Sequence, residues 1–281
     1  MATMREIKRR RGSIQSTQQI TKAMKLVSTV KLQRARARAE SSKAYFQYMY
    51  QTITSLLGKA GVVNHPYIQG GNSDKIGIIV VTSNRGLAGG YNANIVRMIA
   101  GKQFDKEKVQ LYTVGRKGAE GMVRKGYQIA ADYSDVIDEP TFLEAKEIAT
   151  RVLEDFSKGE IGEIYLAYTE FKNTVSQIPK FMKLLPVETT HDDNDHTLMN
   201  FEPSEEEAIE LLIPKYLTSI LYGALVEAVA SENGARMQAM DSATNNAEEI
   251  IHDLELKYNR ARQGAITQEL TEIIAGADAL G

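Results

Sequence analysis

Apolar residues return every three or four positions along 204–280: Ile209, Ile213, Leu217, Ile220 and Ala224, then Ile250, Leu254, Tyr258 and Ala261. That spacing puts them on one face of a single long helix. Ser204, with Glu207 three residues on, forms a capping-box start. Pro214 is the one breaker. A proline inside a helix costs about 3 kcal/mol, so a kink or restart is expected there. From Pro214 to Ala277 the helix would extend roughly 95 Å. A domain of this size has no room for such a rod. Part of it is expected to project and to find partners outside the fold. Its seam is poor between Ala228 and Ala247.

A second helical pattern covers 3–57. Thr3 and Glu6 make another capping box. Ile7, Ile14, Ile20, Met24, Val27, Tyr45, Met49, Ile53 and Leu56 fall mostly on one stripe, and no proline intervenes before Pro66. Such a helix extends about 80 Å. Between Gln33 and Ala44 the stripe thins to alanine and charge. That composition suits a narrow coiled-coil seam with basic faces outward. Residues 58–74 are rich in turn formers and form a linker, with His65 a solvated loop residue.

Between 75 and 190 the period changes. Residues 76–82 make a buried-strand run, followed by a loop over 83–92 and a helix over 93–104. Strands are predicted at 109–114, 127–133, 163–172 and 181–188, and helices at 116–125 and 142–157. Strands alternating with helices argue for a parallel sheet covered on both faces. The last two strands follow each other closely and suit an antiparallel pair. Residues 191–196 (HDDNDH) form a polar turn. Their spacing organises no metal site, and an acidic loop is the simpler account.

Charge changes the picture at one end. Residues 1–45 carry twelve Lys and Arg against Glu6 and Glu40, a net +10, whereas the whole chain carries −2. A basic segment of this kind suits nucleic acid, an anionic membrane surface or an acidic protein partner. The chain has no cysteine, which excludes disulfides, thiolate metal sites and a cysteine nucleophile. No apolar run approaches the 18 or so residues of a membrane span. The N-terminus has no apolar stretch of the secretory kind.

Candidate chemistry is sparse. The glycine-rich loop SNRGLAGGYN at 83–92 lies between strand and helix, where doubly wound folds hold phosphates. Its spacing matches neither phosphate-binding pattern, and no lysine follows its glycines. Gly86, Gly89 and Gly90 are as well explained by tight turns and close packing. His65, His191, His196 and His252 have no serine or carboxylate placed to make a triad. The residues alone leave open an enzyme that binds a nucleotide and a coiled-coil adaptor for nucleic acid. The adaptor lacks aromatics between Met1 and Ala44 and lacks a reader motif.

Three stretches narrow these choices: IQSTQQITKAMKLV at 14–27, ASENGARMQAM at 230–240 and YNRARQGAITQELTEI at 258–273. Together they closely resemble the gamma subunits of bacterial F-type ATP synthases, and the 83–92 loop is similar to that family's central motif. The resemblance spans essentially the whole chain.

The resemblance implies an α/β fold class: a long antiparallel coiled coil of the N- and C-terminal helices plus a small Rossmann-like α/β domain. The segments are 1–57 and 204–281 for the shaft and 75–190 for the domain. It implies a central rotor shaft turning inside a hexamer of alpha and beta subunits, one copy per complex, with epsilon, delta and a membrane-embedded c-ring as further partners. The site would be the cytoplasmic face of the cell membrane, peripheral to it. Neither nucleic acid nor any cofactor is implied, and the subunit would be non-catalytic, with the catalytic sites on beta.

Residue by residue, Met24 and Arg236 match positions level with an acidic lever of beta, and Lys22 and Lys25 flank Met24. Arg262, Gln263, Thr267 and Glu269 match a contact with a beta catch loop. Ile266, Leu270, Ile273 and Ile274 match a tip held in an apolar bearing. Asn84 stands where the family often has aspartate, and Gly234 and Gly264 where alanine is common. If both glycines are exposed inside the helix, each costs about 1 kcal/mol and makes the shaft more flexible. The cysteine-bearing insert of chloroplast members is absent.

Overall fold

The computed structural model describes residues 3–59, 65–187 and 204–278. In chain order the elements are α1 (Met4–Lys59), α2 (Pro66–Gln69), β1 (Ile76–Val81), α3 (Tyr91–Ala100), β2 (Val109–Val114), α4 (Arg116–Arg124), β3 (Gln128–Asp132), α5 (Phe142–Ser157), β4 (Glu163–Phe171), β5 (Gln177–Leu185) and α6 (Glu205–Asp278). Two compact units emerge: Ser28–Arg236, and Met1–Val27 with Met237–Gly281. Both long helices contribute to both units.

The larger unit is a five-stranded sheet of order β3-β2-β1-β4-β5. The first four strands are parallel and β5 pairs antiparallel with β4. Successive strand residues point to opposite faces, and both faces of β1 are buried. Ile78 and Val80 pack with Ile95, Ile99 and Met122 from α3 and α4. Ile79 and Val81 pack with Ile148 and Val152 of α5 and with Leu217, Leu221 and Leu225 of α6.

Both predicted capping boxes mark real helix starts. The Thr3 amide donates to Glu6 (2.8 Å) and the Glu6 amide to the Thr3 hydroxyl (3.4 Å). The Glu207 amide donates to Ser204 Oγ at 3.2 Å. The restart expected at Pro214 does not occur, because α6 runs through it. Ile209, Ile213, Tyr216 and Leu217 are all buried on either side of it, and that packing offsets the backbone hydrogen bond that proline removes. An 18-residue stretch of this helix is apolar enough to meet the composition of a membrane span, but 56% of it is buried inside the structure. The helix thus departs from the expectation of no such stretch, and its packing on the sheet is the reason for the apolarity.

Two further expectations change. His65 is not solvated: its side chain is 12% exposed, and its Nδ1 accepts from the Tyr67 amide as the N-cap of α2. Strand β5 starts at Gln177 rather than near 181, and it contains Pro179. A proline is tolerated there because β5 is an edge strand, with one side free of ladder partners. The 191–196 turn lies outside the described residues.

Candidate partner-contact surface

In the smaller unit, α1 and α6 lie antiparallel. Thr21 and Thr244 share a hydroxyl hydrogen bond of 2.8 Å, and Lys25 pairs with Asp241. Arg11 lies 3.8 Å from Glu255 and over the Tyr258 ring. Each step forward on α1 is a step back on α6. Since α1 begins at Met4, the same register exhausts it near position 262 of α6. Beyond, residues 266–278 are exposed without exception. Four large apolar side chains stand there: Ile266 (49% exposed), Leu270 (54%), Ile273 (68%) and Ile274 (59%).

The seam between the helices follows a heptad spacing, but its composition on α1 is unusual. Met4, Ile7, Arg11, Ile14, Gln18, Thr21, Met24 and Lys25 are its buried and half-buried positions. Ser28, Leu32 and Ala35 continue the spacing in the larger unit, all buried. The apolar Ile20 and Val27, expected on the inner stripe, are 60% and 58% exposed. On α6 the inner positions are Met240, Thr244, Ala247, Ile251, Leu254 and Tyr258, and Ile250 faces outward. A seam in which hydroxyls and ion pairs interrupt the apolar positions holds two helices with less grip than a leucine seam. It leaves an outward apolar stripe of the kind that marks an interaction surface.

The other proposed contact residues fall into two environments. Lys22, Arg262, Gln263, Thr267 and Glu269 are exposed, while Met24 and Lys25 are half-buried. The Thr267 hydroxyl donates to the Gln263 carbonyl at 2.9 Å, keeping that face regular. Arg236 differs. Its side chain is 12% exposed and its Nη2 lies 2.7 Å from Oε1 of the buried Glu232. The same Nη2 donates to the carbonyls of Arg85 and Gly86, at 3.4 Å each. Burial raises the Glu232 carboxyl pKa, with Arg236 opposing the shift. Sequence reasoning missed this pair, because a Glu four residues before an Arg on a helix reads as a surface pair.

The 83–92 loop turns on itself. The Ser83 amide donates to Asn92 Oδ1 (2.9 Å) and the Ser83 hydroxyl to the Arg85 carbonyl (2.7 Å). Asn84 Nδ2 donates to the Ser134 carbonyl (2.8 Å) while its Oδ1 accepts from the Arg116 amide (3.1 Å). An ionised aspartate could accept but not donate, so asparagine is the better fit at this position. Gly234 is buried, and a Cβ there would meet Gln177 Nε2 at 3.2 Å, whereas Gly264 is exposed with open space around it. The expectation of two exposed glycines therefore holds for Gly264 alone. Gly234 serves close packing of α6 against the β4–β5 turn. Among the described residues no cluster of His, Asp and Glu could hold a metal ion.

The ATP synthase family model matches residues 3–280. An ATP synthase gamma chain from Lachnoclostridium phytofermentans is 60% identical, with 100% of both chains covered. The chain belongs to the gamma-chain family of ATP synthases. A sodium-ion-specific gamma chain from Acetobacterium woodii is 40% identical over 99% of this chain and 98% of its own length. Among solved structures, the central stalk and c-ring assembly of Tetrahymena thermophila mitochondrial ATP synthase contains a chain with TM-score 0.60 and 25% identity, covering 80% of this chain and 99% of its own. A chain of the Euglena gracilis mitochondrial enzyme shares the fold with TM-score 0.75 at 19% identity, over 99% and 94% of the two chains.

Proposed function

We propose that this gamma chain is a non-catalytic rotor shaft. It carries the rotation of a c-ring, driven by ion flow, into a hexamer of alpha and beta subunits on the cytoplasmic face of the membrane. Epsilon and delta belong to the same complex, which holds one copy of the chain. The observation that supports this most is the end of α6, which outruns its antiparallel partner and exposes Ile266, Leu270, Ile273 and Ile274. Apolar side chains in such a row lose water only inside an outside sleeve.

The rest of the contact set fits the same account. Lys22, beside Met24, is the exposed cation that suits an acidic lever on beta, while Lys25 and Arg236 are each paired within the chain, with Asp241 and Glu232. Arg236 is held by its own chain, because little of its side chain reaches solvent and Glu232 balances its charge. Long-range attraction tolerates changes of angle, and a shaft that turns past its partners needs that tolerance. Arg262, Gln263, Thr267 and Glu269 form the polar catch nearer the end of α6.

Reconstitution of the chain with alpha and beta subunits tests this reading. Steady ATP hydrolysis is expected only when all three are present. The isolated chain is expected to hydrolyse no ATP and to show no binding by calorimetry. Micromolar ATP binding by the isolated chain would overturn the non-catalytic assignment.

A further inference from the structure

Ligands of open α/β sheets bind outside the carboxyl ends of the strands, where the strand order reverses. Here that point lies between β1 and β4. It is filled by α6. The Tyr91 hydroxyl donates to the Ala228 carbonyl (3.2 Å), and the Ser231 hydroxyl donates to the Thr169 carbonyl (3.0 Å). One turn on, a Cβ at Gly234 would lie 3.6 Å from the Phe171 ring. The glycine-rich loop after β1 points carbonyls, not amides, at what lies next to it. The Arg85 and Gly86 oxygens accept from the Arg236 guanidinium.

We propose that the switch-point crevice is a binding site occupied in cis, with Arg236 as the bound group, Glu232 as its counter-ion and the Arg85–Gly86 carbonyls as its receptor. The consequence is a clamp. It fixes the one turn of α6 that leaves the sheet to the loop that follows β1. One guanidinium nitrogen, Nη2, meets the carboxylate and both carbonyls, so its two N–H groups are shared among three acceptors. Glu232 is a positioning residue, because its charge holds the guanidinium where the two carbonyls can accept from it. The loop is strained in the same place, with Leu87 at φ 62°, a conformation that costs about 1–3 kcal/mol and persists only when surroundings hold it. A phosphate has no place here while the clamp is closed.

Amide hydrogen exchange on the full chain tests the clamp. Glu232→Gln is expected to speed exchange across 84–91 by about tenfold or more, the scale of a lost charged hydrogen bond. Arg236→Lys is expected to lie between this variant and wild type. Lys215→Gln, an exposed change on the same helix, is expected to match wild type. The decisive variant is the exchanged pair, Glu232→Arg with Arg236→Glu. An ordinary helix ion pair survives the exchange. A carbonyl receptor does not, because a carboxylate at 236 would face two oxygens. Loop protection restored by the exchanged pair would overturn the proposal, and so would wild-type exchange in both single variants.

Discussion

Deleting residues 266–281 is expected to weaken association with the alpha–beta hexamer by roughly a hundredfold or more. The estimate rests on four side chains, Ile266, Leu270, Ile273 and Ile274, each about half exposed or more in the free chain. Covering the exposed part of each contributes about 1 kcal/mol, and each 1.4 kcal/mol is about tenfold in affinity. The deletion removes no core, since residues 266–278 are exposed throughout. The β-sheet unit should keep its exchange protection and its unfolding midpoint. Subunit titration with the deletion variant measures the effect. An affinity equal to that of the full chain would show that the tip has no apolar sleeve.

The second large effect concerns stability. Gly115→Ala is expected to destabilise the Ser28–Arg236 unit by about 3 kcal/mol or more. Gly115 sits at φ 107°, and a Cβ there would lie 2.2 Å from the Thr82 carbonyl oxygen. No side-chain rotation relieves a clash with backbone. The position is also a junction. The buried Thr82 hydroxyl donates to the Gly115 carbonyl (3.0 Å) and accepts from the Gly118 amide (2.8 Å), tying the end of β1 to the start of α4. Any shift that makes room for the methyl group loosens both bonds. Denaturant unfolding followed at the sheet reads the change, and a midpoint within error of wild type would mean that the turn is not under this constraint.

Much of the architecture was readable from local signals. Capping boxes at Thr3 and Ser204 located two helix starts, and the 142–157 helix was predicted with its observed limits. The strand runs stood out because both faces of the sheet are covered, so their residues are continuously apolar. The phase of α1 was readable only in part: Ile7, Ile14, Met24, Met49 and Ile53 of the expected stripe are buried or half-buried, while Ile20 and Val27 are exposed. Hydropathy favours Ile20 and Val27 for the inner face, yet Thr21, Lys25 and Ser28 occupy it. The polar positions of the seam leave no hydropathy signal, and their pairing with Thr244 and Asp241 spans over 200 residues of sequence. The burial of Glu232 and Arg236 was hidden for a related reason. It depends on the 83–92 loop arriving from more than 140 positions away. His65 looked like loop because imidazole is not among the usual N-cap side chains, although the amide it accepts from, that of Tyr67, lies only two residues on.

The contact residues divide in the same way. Exposure of the tip followed from its surplus length over α1, which can be counted in the sequence. The different standing of Arg236, held by its own chain, could be seen only in three dimensions.

The central claim is that this chain turns. A bead attached to an exposed position of α4, in a complex of the chain with surface-fixed alpha and beta subunits, measures it directly. With ATP supplied, the account predicts continuous rotation in one direction, at a rate that follows ATP hydrolysis. Sustained hydrolysis with a stationary bead would contradict it.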